Sequence, residues 1–539
     1  MRTTGFVNGT IYQSWGEGIP VEALVIKGDR VAWSGERSAM PSVDRIVDLK
    51  GAVLGPGLTD AHAHYLHVAN SRLEIAVDQA DVKSINDVLE RLRRGIKGRS
   101  SGEWAVAAGF DENRLQELRY PSRKEIDAVF PDRPVLIRRF CGHVTIANSA
   151  ALAALGIDDS VSDPVGGVFG RDPSGRLDGS AREAASGMIM RVMPRAAIGT
   201  RVSVLGDVLR DVSGMGIVAG VEAAVGGGGG DSDRFDDELA VWNALRQNNE
   251  KLPIRLGFMC RLDAKDAKRR KLEPRRDPSF QTATLKFFAD GIMGARTAAV
   301  SHQYADGTGY GLFMRDEAEL SKALIDAHCA GWQIAVHAVG DRAISLVVDA
   351  YIEGQRIAPR PDARHRIEHA SCSSAQDYMN MRKLGVSIVT QPSFLSRMNR
   401  SKRAAFGDRV HGYYQARTII EAGVRYVPSS DAPTGSLSPW DGVADAMDRG
   451  ATTGEPIGPN EALPARTVLA GYAEGGAFVM GQETWRGRLL PGMAADMIVL
   501  DRDVTTSTPK DVRETKVLLT MVDGHVVHDR MSSTSPWNE

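Results

Sequence analysis

Seven polar residues of this 539-residue chain stand at or near the ends of apolar runs. They are His62 and His64 in GPGLTDAHAH, Glu222 in GIVAGVEAAV, Lys286 in ATLKFFADG, His337 in WQIAVHAVG, His369 in HRIEHA and Asp431 in VRYVPSSDAP. Short apolar runs bounded by turn signals read as buried strands. Residues i and i+2 of a strand share a face, so the imidazoles of His62 and His64 can reach one point. Ionisable groups are costly to bury unless they pair or bind a metal. Histidines with an aspartate and no thiolate suit zinc, manganese, iron or cobalt, not a structural cysteine-type zinc site.

Lys286 departs from this donor set, because a bare ammonium facing the same point repels cations. Two readings are open. It forms a salt bridge to an acid such as Asp290 or Glu222, or burial lowers its pKa and the free amine takes up carbon dioxide as a carbamate that bridges two metals. Spacing is compatible with both.

Elements that could position these groups follow from the pattern. The first fifty residues alternate short β-type runs with turns, as in GFVNGTIY and EALVIKGDRVAWSG, and the far end repeats this texture in GRLLPGMAADMIVLDRD and KVLLTMVDGHVVHDR. Both ends therefore build one discontinuous β domain. The middle alternates apolar strands with helical patterns such as EAELSKALIDAHCAG, which predicts a parallel sheet closed as a (β/α)8 TIM-like barrel. Residues 71–195 are too long for one connection and carry their own strand and helix signals, so they form an α/β insertion. The expected division is 1–55 as the first part of a β-sandwich, 56–70 and 196–465 as the barrel, 71–195 as the insertion, and 466–539 as the barrel's end with the second part of the sandwich. The run GGGGGDSD at 226–233 cannot hold regular structure and reads as a mobile loop beside the site.

Composition narrows the function classes. Apolar residues make up 42% and charged residues 25%, and 66 Lys plus Arg balance 68 Asp plus Glu for a net charge of −2. That balance argues against a nucleic-acid or membrane-surface partner and for a small-molecule substrate. No window approaches a membrane span, and the first fifteen residues lack the apolar core of a signal peptide. Cys141, Cys260, Cys329 and Cys372 form no CxxC pair, so a reducing cytoplasm is the expected setting.

The order DAHAH, an internal lysine strand, HAVGD, RIEHAS and PSSDAP resembles the amidohydrolase superfamily. Within it, GHVTIANSAAL, LKFFADGIMGARTA, VTQPSF and GRLLPGMAADMIVLDRD make the chain similar, nearly end to end, to the YtcJ-like amidohydrolase family 3, a group that includes formamide deformylases. The resemblance implies that His62 and His64 bind the more buried metal with Asp431 as a further ligand. It implies that His337 and His369 bind a second metal, most suitably two zinc ions in all, with carbamylated Lys286 between them. Asp431 is then also the general base toward the bridging water, which metal brings within reach of deprotonation at neutral pH. A homodimer is the assembly such barrels suggest. Relatives often carry aspartate where this chain has Glu222, which leaves Glu222 as a spectator, a supporting group, or a ligand in place of the carbamate.

Three further residues are candidates for the substrate pocket. His143 is either a capping or core histidine or a donor to the substrate carbonyl oxygen in the transition state. Arg296 either pairs with Asp290 or Asp306 or anchors an anionic group of the substrate. Trp104 and Phe110–Asp111 of the insertion could wall the pocket. The expected activity is metal-dependent hydrolysis of a C–N amide-type bond, N-formyl or N-acyl, in a small molecule. The alternatives are a deaminase on the same barrel, which would not need Lys286, and a metal-free scaffold, which would lack ligands.

Overall fold

Eight apolar runs form eight parallel strands: β1 (Leu58–Ala63), β2 (Ile217–Val225), β3 (Arg255–Cys260), β4 (Phe280–Phe288), β5 (Gln333–Ala338), β6 (Arg366–His369), β7 (Ser387–Thr390) and β8 (Arg425–Pro428). The structure, a computed structural model, describes residues 2–78, 80–98, 102–193, 195–226, 232–248 and 251–531. Neighbours in sequence are neighbours in the sheet, from β1 beside β2 to β7 beside β8. Parallel strands covered on both faces need continuous apolar character, and every residue of β2, β3 and β5 is buried. The seam between β8 and β1 is bridged just past the strand ends, where Asp431 N–H donates to the His62 carbonyl at 2.7 Å and His64 N–H to that of Ala432 at 2.9 Å. The expected TIM-like barrel is present.

Helices cover the outside. Glu317–Cys329 and Asp341–Ile357 pack against each other and against β5. The first of them starts where Asp316 accepts the backbone N–H groups of Ala318 and Glu319, satisfying otherwise orphaned donors. Helix α1 (Tyr65–Ser71) follows β1 directly. Among the described residues no helix is long and apolar enough to cross a membrane.

The two ends of the chain do share one sheet of eight strands. Val53–Pro56 pairs antiparallel with Met497–Leu500, and also, in parallel, with the first strand, Thr3–Ile11. Phe6, Leu24, Leu54, Met497, Leu519 and Met521 form its buried core. The glycines of GPG make close approach to the barrel possible. A Cβ on Gly55 would lie 2.2 Å from the Trp15 ring, and one on Gly57 2.2 Å from a Val218 methyl, both inside contact distance. Trp15 Nε1 donates to the Pro56 carbonyl at 2.8 Å, which fixes the crossing from terminal sheet to β1.

Residues of the insertion build a separate six-stranded sheet, from Ile75–Ala76 to Leu177–Glu183, over two apolar cores of its own. Its turn at Cys141–His143 meets the barrel rim, where Thr434 Oγ1 lies 3.4 Å from the Cys141 carbonyl. Of the glycine-rich run, residues 227–231, on which the mobile-loop expectation falls, lie outside the described residues.

Candidate active site

The strand ends converge. His62 closes β1 and His64 caps α1, so strand and helix aim the two rings at one point with centroids 5.5 Å apart. Asp431 meets them from the β8 end: its Oδ1 lies 3.4 Å from His62 Nε2 and 3.2 Å from His64 Nε2. One donor atom from each of the three lies within 4.8 Å of the other two, the spacing of a metal site. Asp431 reaches this position with φ +49°, in the left-handed region that few non-glycine residues occupy. Such strain persists where the surroundings over-determine it, as active sites do.

The tautomers are set from behind. Glu368 Oε2 lies 2.5 Å from His62 Nδ1, and Arg366 holds Glu368 with Nε–Oε1 2.5 Å and Nη2–Oε2 2.9 Å. Burial pushes the Glu368 carboxyl up, but the Arg366 charge and His62 outweigh it and keep it ionised, below the usual carboxylate range. An ionised carboxylate only accepts, so His62 carries its hydrogen on Nδ1 and turns the Nε2 lone pair toward Asp431 and His64.

His369, at φ +74°, has its Nδ1 2.7 Å from the Gln391 amide oxygen, which leaves Nε2 facing the site. His337 Nε2 donates to the Gly291 carbonyl at 3.0 Å, which leaves Nδ1 as the free lone pair. The His369 centroid is 5.1 Å from that of His62 and 4.6 Å from that of His337. Burial lowers the pKa of His64 and His337, and that of His369 to about 3. Neutral imidazoles are what a metal requires. Burial also raises the Asp431 carboxyl, but the His62 and His64 rings beside it outweigh this and hold it well below its ordinary value.

Lys286 lies on β4 at 2% exposure, and its Nζ has no hydrogen-bond partner. Neither expected acid reaches it. Asp290 accepts the backbone N–H groups of Val339, Gly340 and Ala299, and Glu222 accepts that of Leu66 at 3.2 Å. Burial brings the Lys286 amine down to about 8, against the pull of Glu368 and Asp431. Glu222 is buried beneath the first turn of α1, the helix that His64 caps; burial raises its carboxyl well above the ordinary range.

A cavity of about 910 Å³ opens above these groups, and His64, Lys286, Glu222, His143 and Trp104 all contribute to its lining. His143 comes from the insertion and stands with its centroid 5.7 Å from that of His337. Its Nδ1 lies 2.6 Å from Glu183 Oε2, and Thr297 Oγ1 donates to Glu183 Oε1 at 2.7 Å. Burial lowers the His143 pKa, but the Glu183 charge and hydrogen bond overcome it and leave the group above its ordinary value. Arg296 takes the salt-bridge arrangement: its Nε donates to Asp306 at 2.7 Å, and it is not among the cavity-lining residues. Phe110 belongs to the core of the insertion.

Sequence reasoning passed over Arg366, Glu368, Gln391 and Glu183. Arg366 and Glu368 carried a signal, two opposite charges at i and i+2 in a strand too apolar to expose them. Glu183 carried none, because its partners His143 and Thr297 meet it only through the tertiary fold.

A protein-family model described as amidohydrolase family matches residues 45–528. The chain is 26% identical over 535 residues to the amidohydrolase YtcJ of Bacillus subtilis (strain 168), covering 97% of this chain and 98% of that one. It is 27% identical over 559 residues to N-substituted formamide deformylase of Arthrobacter pascens, covering 99% of each. The crystal structure of an uncharacterized metal-dependent hydrolase from Pyrococcus horikoshii OT3 superposes with a TM-score of 0.73 at 25% identity, over 94% of this chain and 99% of that one. With the family model covering most of its length, a nearly closed parallel barrel and histidines with an aspartate gathered at one end, the chain belongs to the amidohydrolase family.

Proposed function

We propose that this protein hydrolyses a C–N amide-type bond of a small molecule, using two divalent cations, most suitably zinc, with Asp431 as general base. The observation that carries this reading is a buried amine without a hydrogen-bond partner, Lys286, in the wall of a cavity that His64 also lines, and close enough to His337 and His369 to help hold both rings neutral. A buried polar group without a partner calls for an explanation. Addition of carbon dioxide to the free amine, with loss of a proton, would supply one, replacing a buried cation by an anion whose oxygens are metal ligands. His62 Nε2, His64 Nε2 and Asp431 Oδ1 would hold one cation, and His337 Nδ1 and His369 Nε2 the other. A deaminase would leave Lys286 unexplained.

Cations bound there supply Lewis-acid polarisation of the scissile carbonyl and lower the pKa of water toward ~7. The remaining steps belong to side chains. Asp431 Oδ1 faces His62 and His64, so Oδ2 is the atom that accepts a proton from the attacking water. As water adds to the carbonyl carbon, His143, protonated on both ring nitrogens with Nδ1–H on the Glu183 carboxylate, donates from Nε2 to the oxygen that gains charge. Asp431 then returns the proton to the nitrogen as the C–N bond breaks, giving an acid and an amine. Trp104, Leu73, Val106, Met188 and Met190 line the cavity on the insertion side. A volume of about 910 Å³ is near the top of the ~300–1,000 Å³ range of ligand pockets, which favours an amide with a bulky apolar substituent. The name N-substituted formamide deformylase, carried by one relative, fits that reading.

The test is metal content together with turnover of a panel of N-formyl, N-acetyl and longer N-acyl amines. Two metals per active chain and loss of turnover in Asp431→Asn are expected. Full activity in a chain that carries no metal refutes the proposal.

A further inference from the structure

His67 lies one helical turn after His64 on α1, lines the cavity, and takes no part in the chemistry above. Its Nε2 is 2.6 Å from Nη1 of Arg138, which is buried in the insertion sheet. A guanidinium has donors and no acceptor, so His67 Nε2 must be the acceptor. A ring nitrogen that accepts carries no hydrogen; the imidazole is therefore neutral with its single hydrogen on Nδ1. Arg138 has no freedom to reverse this, because Nε and Nη2 are held by Glu74 and Nη2 also by Ser71 Oγ at 3.2 Å. Ser71 Oγ in turn donates to the His67 carbonyl at 2.9 Å, tying the network to the helix that carries the ring.

The Nδ1 edge has no such partner among the described residues, and it faces Gly142. A Cβ placed on Gly142 would stand 3.3 Å from His67 Cε1 and 3.8 Å from Nδ1. Glycine at φ +76° thus leaves open the space beside that edge. Gly142 also lines the cavity, between Cys141 and His143. A fixed donor accordingly stands in the same wall as His143, on the side where the insertion closes over the barrel.

We propose that His67 is a specificity-determining residue whose Nδ1–H binds an acceptor oxygen of the substrate other than the scissile carbonyl. The substrate class is then an N-acyl amine with a second oxygen, as an ether, carbonyl or carboxylate, in the part that lies against the insertion. This rests on the hydrolase reading above. A site built to donate a hydrogen bond rejects the analogue that lacks the acceptor, because its own donor is left unpaired.

Two measurements on the full-length protein test it. Ring-nitrogen NMR of 15N-histidine-labelled protein, with the His67 signals assigned by their loss in His67→Asn, should show hydrogen on Nδ1 and none on Nε2. Hydrogen on Nε2 overturns the proposal. The second uses N-formyl and N-acetyl amines whose substituent carries an ether oxygen at successive positions, each paired with its methylene isostere. At one position the oxygen compound should be preferred in kcat/KM by ~5–10-fold, chiefly through KM. His67→Phe should bring that ratio to about 1, and His67→Asn, whose Nδ2 sits where Nδ1 was, should keep most of it. If the amines are hydrolysed but the ratio is the same in His67→Phe, this inference fails and the hydrolase reading stands. If none is hydrolysed, the hydrolase reading fails and the substrate half of this inference with it.

Discussion

Replacing Lys286 by methionine should stabilise the metal-free protein while destroying its activity. The Lys286 side chain is buried without a hydrogen bond, so the substitution breaks none; the contact of Nζ with the Phe288 ring, 5.1 Å from its centroid, is replaced by that of the methionine side chain. Its amine sits at about 8 against an ordinary 10.5. That gap corresponds to about 3 kcal/mol that the folded state loses by holding the ammonium at neutral pH. The sign follows from the direction of the shift. Below pH 8 the amine is protonated in both folded and unfolded chains, and the folded state bears the full cost. Between pH 8 and 10.5 the folded state releases its proton first, the cost fades, and stability from this group rises. Lys286→Met should therefore be more stable than wild type by ~2–4 kcal/mol at pH 7, with the difference falling to under about 1 kcal/mol by pH 10. The assay is urea unfolding of chelator-stripped proteins at both pH values, in parallel with turnover of metal-restored samples. Turnover should fall by more than the ~10–100-fold typical of a residue that only supports a ligand. A variant less stable than wild type at pH 7, or a difference that does not change with pH, would refute the reasoning.

Glu368→Gln should weaken metal binding ~10–100-fold in a competitive chelator titration, because His62 loses the carboxylate that fixes its tautomer. The same variant should lose stability, since Arg366 keeps a buried charge without its ion pair. His143→Gln should lower kcat by ~10²–10³ while KM moves little, as removal of a transition-state donor does. Trp104→Ala should raise KM for amides with bulky substituents more than for N-formyl compounds of small amines, measured across the same panel; equal effects on both would remove Trp104 from the wall.

Much of this arrangement is legible in the amino-acid sequence, and the reasons differ residue by residue. His62 was legible because it ends an apolar strand; His64 was legible as its neighbour at i+2, although the strand stops at Ala63 and His64 reaches the same point from the start of α1. The barrel was legible because eight such runs alternate with helices. Lys286 was visible as an oddity, but which acid it met depended on where Asp290 and Glu222 spend their oxygens, and both spend them on backbone N–H groups. Arg296 shows the same limit: two acids lay within reach along the chain, and only the turn that places it at φ +62° selects Asp306. Glu183 and Arg138 act on His143 and His67 across distances that no local pattern encodes. Local periodicity reports which way a side chain points; what it meets there is a property of the closed fold.

The sheet shared by the two ends of the chain has a consequence for biosynthesis. Val53–Pro56 leaves the ribosome early, yet one of its edges is completed by Met497–Leu500. About 440 residues of synthesis separate the two, roughly 20–90 s at ~5–20 residues per second. During that interval the nascent chain carries an unpaired strand edge beside an incomplete apolar core, while the barrel that follows is still being made. Such edges template the wrong pairings. Slow translation should therefore cost this chain more folded yield than a barrel without that sheet, and a chaperone that shields the exposed strand edge should restore it.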